Sequence, residues 1–272
     1  MAKPIQRKGQ LALLSTDLLA YYRTVSESSL TVVDVETTGS LPYQGARVIE
    51  VSILQASLEA GIQHQETHLI NPGVRVPPMI TRVTGITQTM VSQGLFPEDV
   101  WPGCLELLET GVLTAHNLEF DYGFLQSEYR HLEHTFLRPA EQRLCTVLLS
   151  RLLLADLPSR SLPNLVEHFG FDVGPSHRAG ADTRACWLLA ERLLKQIQAE
   201  PEEALIQRFS RQWIRLQEAA AILKCPQKTA QKLLDEEGIA SRLSKRKNRP
   251  LYQRGDVERI MKERDGEQLS LV

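Results

Sequence analysis

The chain is short of cysteine and aromatic residues, and it has no long hydrophobic run. Its four cysteines are scattered without a Cys-x-x-Cys pair, so the sequence suggests neither a disulfide framework nor a zinc site. The apolar stretches are too short and too interrupted to cross a bilayer, and no apolar signal-peptide core follows the basic residues near the N-terminus. We therefore expect a cytoplasmic protein with no membrane partner.

Neither sign of charge dominates the chain, whose formal net charge is −2 at pH 7, but the charges are unevenly distributed. Residues 1–200 carry 16 Lys and Arg against 22 Asp and Glu, whereas residues 201–272 carry 15 against 11. The basic C-terminal part indicates contact with a polyanion. The acidic part contains the carboxylates described below, whose charge bound metal ions would offset.

Apolar periodicity predicts several strands in series, followed by strands that alternate with helices. A mostly β-branched run at residues 30–35 is typical of a buried strand. The other predicted strands cover residues 47–54, 62–70 and 111–115, and the main predicted helices cover residues 97–109, 118–131, 146–154, 162–169 and 181–198. This order favours an α/β fold with a mixed sheet flanked by helices.

A domain boundary is expected close to Pro201, because proline disfavours helix in the residue before it. The predicted parts are an N-terminal helix in residues 1–27, an α/β domain in residues 28–200, a small helical domain in residues 201–262 and a flexible tail in residues 263–272.

Acidic residues in three separate stretches form the main functional signal. Asp34 and Glu36 alternate with valines, so both face one side of the predicted first strand. Asp121 lies at the start of a predicted helix, and His177 precedes Asp182 by five residues. Four acids without a basic partner would repel one another unless cations bound them. Two divalent ions, Mg²⁺ or Mn²⁺, held by these carboxylates are suited to phosphodiester hydrolysis.

These blocks resemble those of the DnaQ-like 3′–5′ exonucleases, the family with an Asp-Glu-Asp-Asp plus His signature (DEDDh). The matching stretches are Asp-x-Glu-Thr-Thr-Gly from Asp34, His-Asn-x-x-Phe-Asp ending at Asp121, and the His177 to Asp182 block. The resemblance covers about residues 28–198. It implies an RNase-H-like fold and release of 5′-mononucleotides from a 3′ end.

The resemblance also implies roles for individual residues. Asp34, Glu36, Asp121 and Asp182 would be metal ligands, and His177 would be the general base. Thr84 stands where proofreading subunits often carry histidine, which departs from the commonest pattern. The expected substrate-binding residues are Thr37, Thr38, Gly39, Thr84 and Asn117.

The C-terminal part resembles a winged helix-turn-helix of the excisionase or MerR-like type, which implies DNA binding through its second helix and its wing. The alternative is a solvated basic loop on a protein-binding helical domain. The expected DNA-contacting residues are Lys228, Gln231 and Lys232 on the second helix and Arg242, Lys245, Arg246, Lys247 and Arg249 in the wing.

The last residues resemble the short peptide with which bacterial polymerases and repair proteins hold the β sliding clamp. The candidate clamp-binding residues are Gln268, Leu269 and Leu271, although Val272 stands where that peptide usually ends in phenylalanine. The alternative is a frayed polar tail.

Three functions therefore remain open. The leading one is a metal-dependent 3′–5′ exonuclease acting on DNA in replication proofreading or repair, with any polymerase acting in trans. An exoribonuclease that trims RNA 3′ ends is the second. The third is a DNA-binding adaptor with an inactive nuclease fold, which predicts a broken acid set, whereas all four acids and the histidine are intact.

Overall fold

The computed structural model describes residues 13–244 and 248–270. The chain divides into two compact units. The larger consists of Thr24–Ser150 and Asp156–Gln198, and the smaller consists of the described residues of Met1–Arg23, Arg151–Ala155 and Ala199–Val272. Within the described ranges, no helix combines the length and the apolar character needed to cross a membrane.

The larger unit is built on a five-stranded sheet with the order β3-β2-β1-β4-β5. The first strand, β1, pairs antiparallel with β2 and parallel with β4, which confirms the predicted mixed sheet. The strands are β1 (Leu30–Thr37), β2 (Val48–Ser57), β3 (Gly61–Leu69), β4 (Val112–Ala115) and β5 (Arg143–Cys145). The short strand β5 was not predicted, since three residues leave little periodic signal.

Helices follow the strands of this unit in the order expected of an α/β fold. Its helices are α2 (Pro78–Thr84), α3 (Gln88–Ser92), α4 (Pro97–Glu109), α5 (Leu118–His131), α6 (Thr146–Leu153), α7 (Leu162–Phe169) and α8 (Ala179–Ala199). The predicted ranges agree with α4, α5, α6, α7 and α8 to within two residues, because each carries a clear apolar face.

Strand β1 separates the hydrophobic core from the acidic face of the sheet. Val33 and Val35 are buried in the cluster that contains Trp101 of α4. Asp34 and Glu36 alternate with these valines and are half-buried on the other face. Pairing of β1 with β4 ends at Val32, so the carboxyl-terminal half of β1 continues beyond the shorter strand.

The smaller unit combines a three-stranded antiparallel sheet with helices. The sheet has the order β6-β8-β7, and its strands are β6 (Trp213–Arg215), β7 (Ser241–Leu243) and β8 (Pro250–Gln253). The helices are α1 (Ser15–Ser26), α9 (Glu202–Ser210), α10 (Leu216–Ile222), α11 (Gln227–Glu236) and α12 (Arg254–Ser270). Buried residues of β6, α10, α11, β8 and α12 form one core.

The sequence predicted the N-terminal helix as a separate part, but hydrogen bonds join this helix to the C-terminal segment. The backbone nitrogen and the hydroxyl of Ser15 each donate a hydrogen bond of 2.8 Å to the buried Glu258 of α12. Arg254 donates to the carbonyl of Leu13. Helix α1 therefore folds with the C-terminal segment, a long-range association that no local pattern reveals.

The last helix extends into the segment from residue 263 that the sequence predicted to be a flexible tail. Helix α12 continues to Ser270. For the backbone of residues 263–270, the prediction of a flexible tail is therefore wrong. Arg259 pairs with Glu263 at a spacing of four residues, which stabilises this part of the helix.

Candidate active site

The acidic residues of the three sequence blocks meet at one face of the sheet, opposite the face that carries Val33 and Val35. Asp34 and Glu36 come from the end of β1, Asp121 from the first turn of α5 and Asp182 from the first turn of α8. Their mutual proximity appears in their electrostatics: the carboxylates of Asp121, Asp182 and Glu36 all raise the pKa of Asp34. The fold therefore assembles residues separated by almost 150 positions.

His177 completes one side of this cluster. One ligand atom from each of Glu36, His177 and Asp182 lies within 4.8 Å of the others. The backbone N–H of His177 donates a hydrogen bond of 2.9 Å to Oδ2 of Asp182. His177 has a φ of 63°, in the left-handed region that is uncommon for residues with a Cβ. Its ring is exposed, as expected of a loop residue that precedes the helix.

The four acids share a strongly negative environment. Burial raises the pKa of Asp34 well above its usual range, and the neighbouring carboxylates raise it further. Burial raises the pKa of Glu36 to about 7, with additional contributions from Asp182 and Glu50. The pKa of Asp121 and that of Asp182 are also raised, mainly by burial. These carboxyl groups resist being ionised at the same time because their negative charges repel one another. Bound cations would offset that repulsion.

Asp121 also connects α5 to β1. Its Oδ1 accepts a hydrogen bond of 3.2 Å from the backbone N–H of Val35. This donor belongs to the part of β1 that extends beyond the pairing with β4, which ends at Val32. The carboxylate thus satisfies a buried backbone group while it contributes charge to the cluster.

Glu50 is a buried acid of this site that sequence reasoning missed. It pairs directly with Glu36 across the antiparallel strands β1 and β2. Its carboxylate accepts hydrogen bonds from the Arg178 guanidinium, the shorter at 2.7 Å, and one of 2.9 Å from the backbone N–H of Ala179. It therefore anchors the chain next to His177. Only the register of the two strands could have revealed it.

The predicted substrate-binding residues lie in different settings. Thr38 and Gly39 border a cavity of about 280 Å³ beside the end of β1. The hydroxyl of Thr37 donates to the carbonyl of Gly39, which holds this loop in place. Thr84 is buried, and its hydroxyl bonds to backbone groups at both ends of a turn. Asn117 is exposed before α5 with a φ of 73°.

His116 makes local contacts beside β4. Its ring nitrogens lie 2.9 Å from the hydroxyl of Thr146 and 3.0 Å from the carbonyl of Arg160. Burial lowers its pKa to about 4, so the ring is neutral at pH 7.

The predicted DNA-contacting residues lie in the smaller unit. Lys228 and Lys232 are exposed on α11, and Arg249 is exposed before β8. Arg242 is also exposed, and its guanidinium stacks 4.3 Å from the ring centre of Trp213. Gln231 is half-buried, and its amide bonds to Asp235 and to the hydroxyl of Tyr252. Lys245, Arg246, Lys247 and Leu271 lie outside the described residues, as do the side chains of Gln268 and Leu269.

Comparison with known proteins gives the family of the larger unit. The exonuclease family model (RNase_T) matches residues 31–189. DNA polymerase III subunit epsilon of Aquifex aeolicus is 31% identical over 173 residues, which are 62% of this chain and 80% of that protein. The 3′–5′ exonuclease DinG of Bacillus subtilis is 30% identical over 193 residues, which are 70% of this chain and 20% of that protein.

Solved structures agree on the fold. Exonuclease I of E. coli, in complex with a dA16 oligonucleotide, superposes with a TM-score of 0.55 at 18% identity. The match covers 66% of this chain and 42% of that chain. The chain spans between 11% and 28% of the length of four longer bacterial relatives, DinG among them. The family match, which covers more than half of the chain, and the RNase-H-like fold together place the chain in the DnaQ-like 3′–5′ exonuclease family.

Proposed function

We propose that the protein hydrolyses phosphodiester bonds at DNA 3′ ends with two divalent metal ions and releases 5′-mononucleotides. The observation that carries this proposal is the convergence of Asp34, Glu36, Asp121 and Asp182 on one site, where burial raises the pKa of each and neighbouring carboxylates raise it further. Carboxylate oxygens are hard ligands that suit Mg²⁺ or Mn²⁺. The donor set therefore fits the ions that the family uses.

The side chains divide the work in this proposal. Asp34, Glu36, Asp121 and Asp182 hold the metal ions, which when bound lower the pKa of an attacking water and neutralise charge on the phosphate. His177 accepts the proton of that water through its exposed ring. Its backbone bond to Asp182 keeps the ring next to the carboxylates. In this proposal Thr37, Thr38, Gly39 and Asn117 contact the terminal nucleotide.

The preference for DNA rests on the relatives and on the smaller unit. The relative from Aquifex aeolicus is a subunit of a DNA polymerase. Helices α10 and α11, followed by the β7–β8 hairpin, have the order of elements of a winged helix-turn-helix. Residues 201–272 carry a net positive charge. We propose that this domain tethers the enzyme to DNA through Lys228, Lys232, Arg242 and Arg249.

Two partners follow from the sequence and remain proposals. The residues Gln268, Leu269 and Leu271 would bind a β sliding clamp, and a polymerase would act in trans. Loss of binding to a bacterial clamp after replacement of Leu269 and Leu271 by alanine would support the first partner. No binding by the intact protein at micromolar clamp concentrations would exclude it.

The central experiment compares matched substrates. The purified protein is incubated with Mg²⁺ or Mn²⁺ and 5′-labelled single-stranded DNA or RNA of the same sequence. Asp34→Asn provides the inactive variant, and Asp99→Asn, at an exposed acid of α4, provides the matched control. We expect a shortening ladder on DNA with the wild type and with Asp99→Asn, and none with Asp34→Asn.

The other outcomes separate the remaining functions. A ladder on RNA alone would support the exoribonuclease, since nothing in the catalytic blocks distinguishes a 2′-hydroxyl from its absence. Binding of DNA in a chelator without cleavage in Mg²⁺ would support the inactive adaptor, although the complete acid set argues against it.

A further inference from the structure

Strand β3 at the edge of the sheet has two chemically different faces. His64, Glu66 and His68 alternate along it and so share one face. Glu66 pairs with Ile53 and His68 with Val51, two core residues of β2. These belong to the same core cluster as Cys104 of α4, so this face of β3 looks towards that helix.

The polar groups on this face form a compact set of metal-binding atoms. One ligand atom from each of Glu66, His68 and Cys104 lies within 4.8 Å of the other two. Oε1 of Glu66 lies 3.2 Å from Nε2 of His68 and 3.7 Å from Sγ of Cys104. In a tetrahedral zinc site the corresponding separations are about 3.3 Å for O to N and about 3.6 Å for O to S, from the usual zinc–ligand lengths.

The neighbouring groups hold the carboxylate in a suitable orientation. Nε2 of His64 lies 3.1 Å from Oε2 of Glu66, the oxygen that faces neither His68 nor Cys104. A hydrogen bond to the second oxygen of a ligating carboxylate is a common feature of metal sites. Cys104 is buried, whereas His68 and Glu66 are partly exposed. An ion could therefore enter from solvent while the thiolate stays protected.

We propose that Glu66, His68 and Cys104 form a zinc site, separate from the carboxylate cluster of the exonuclease. A water molecule completes the tetrahedron. A carboxylate, an imidazole and a thiolate make up a mixed donor set that suits zinc and disfavours Mg²⁺, which requires oxygen ligands. Without metal the Cys104 thiol keeps its proton and donates a hydrogen bond to Oε1 of Glu66. Zinc replaces that proton, which is released to solvent.

The sequence did not suggest this site because its ligands come from two elements. The spacing from His68 to Cys104 matches no compact zinc motif, and the four cysteines are far apart. Only the packing of α4 beside the sheet brings the thiol to the edge strand.

The opposite face of β3 supports the catalytic helix, which gives the site a consequence. Nε2 of Gln65 donates a hydrogen bond of 2.9 Å to the carbonyl of Gly180, two residues before Asp182. The same side chain accepts a hydrogen bond from Arg184 of α8. Zinc would fasten the edge strand to α4 and thereby restrict the strand against which the start of α8 rests.

Titration with Co²⁺ tests the proposal on the full-length protein, because cobalt replaces zinc and reports thiolate ligation. A cobalt–thiolate charge-transfer band in the near ultraviolet requires a thiolate ligand, which neither the four carboxylates of the exonuclease site nor His177 supplies. We expect one equivalent of Co²⁺ to produce this band and one equivalent of Zn²⁺ to abolish it. Cys104→Ser and His68→Gln should each lose it, with circular dichroism unchanged.

Two controls locate the band. Cys145→Ser changes another thiol of the larger unit and should retain it, and Asp34→Asn should retain it while losing the exonuclease. The proposal is overturned if the wild type gives no band, or if the band survives in Cys104→Ser. Because Asp34→Asn is tested in the same assay, failure of the zinc site is distinguishable from failure of the proposed exonuclease.

Discussion

At the scale of single residues, Glu50 and Glu128 use the same bonding pattern for different purposes. Each is buried, and each accepts two hydrogen bonds from an arginine and one from a backbone N–H. Glu128 pairs with Arg47, whereas Glu50 pairs with Arg178, the residue that follows His177. Of these two glutamates, only Glu50 contributes to the raised pKa of Glu36. In the proposed exonuclease, Glu50 is therefore a positioning residue whose charge also acts on Glu36, a proposed metal ligand.

Glu50→Gln should lower kcat about tenfold, because the segment that carries His177 loses its charged anchor. It should also move the acidic limb of the pH–rate profile to lower pH, since Glu36 loses a neighbour that raises its pKa. The measurement is kcat in Mg²⁺ from pH 5.5 to pH 9. Glu128→Gln should cost stability without moving that limb, and an equal shift in both variants would contradict the role of Glu50.

His177→Gln should reduce the single-turnover rate by about 10²–10⁴, the usual contribution of a general base. Its affinity for DNA in the presence of a chelator should change little, because the ring is exposed and the neighbouring backbone bond remains available. His131→Gln, at an exposed histidine at the end of α5, is the matched control. A loss smaller than tenfold would mean that another group takes the proton.

Sequence reasoning at this scale succeeds for residues in ordered blocks and fails for residues defined by strand register. The spacing of Asp34 and Glu36 predicts a shared strand face, and the structure places both on it. Glu50 has no such block, because its role depends on which residue of β1 it pairs with. Thr84 is an expected substrate-binding residue. Its hydroxyl bonds to backbone groups of a turn, which the composition of the chain does not reveal.

At the scale of elements, Asp121 joins α5 to the end of β1 that extends beyond the pairing of this strand with β4. Asp121→Ala should destabilise the metal-free protein by about 1–3 kcal/mol, because the buried N–H of Val35 loses its acceptor. Asp121→Asn retains an acceptor oxygen and removes a repelling charge, so its stability should equal or exceed that of the wild type. Both variants should lack exonuclease activity. Urea denaturation in EDTA measures the difference in stability between the alanine and asparagine variants. No difference is expected if Asp121 serves only as a metal ligand.

Helix α11 and the β7–β8 hairpin carry the proposed DNA tether. Lys228→Gln and Arg249→Gln should each reduce the slope of log affinity against log salt by roughly 0.7–0.9, the value for one lost phosphate contact. Binding is measured in EDTA to prevent cleavage. Lys262→Gln, at an exposed cation of α12, should leave the slope unchanged. Unchanged slopes in all three variants would favour a protein-binding role for this unit.

Elements with strong periodicity were predictable, and those stabilised by distant contacts were not. Helices α5 and α8 carry clear apolar faces that pack on the core. Helix α9 was missed because it follows Pro201 directly, where the sequence indicated only a boundary. The association of α1 with α12 depends on Ser15 and Glu258, which are 243 positions apart.

At the scale of the whole molecule, the larger unit keeps an acidic cluster that opposes its own folding unless metal is bound. In the metal-free protein, burial raises the pKa of Glu36 to about 7, above the value of 4.5 for an unfolded chain. The folded state therefore holds a proton that the unfolded state releases between these pH values. The proton on Glu36 therefore contributes to the stability of the folded state. This contribution is complete below about pH 4.5 and is lost as the pH rises through about 7, a change in the free energy of unfolding on the order of 2–3 kcal/mol.

The free energy of unfolding measured in EDTA should accordingly fall from pH 5 to pH 8, and Glu36→Gln should remove much of this slope. Mg²⁺ should stabilise the wild type more at pH 8 than at pH 6, because ligation requires the ionised carboxylates. Glu59→Gln, at an exposed acid, should behave as the wild type does. If the pH dependence of stability persists in Glu36→Gln, the other acids are its cause. If stabilisation by Mg²⁺ does not depend on pH, the metal is not bound by carboxyl groups with raised pKa values.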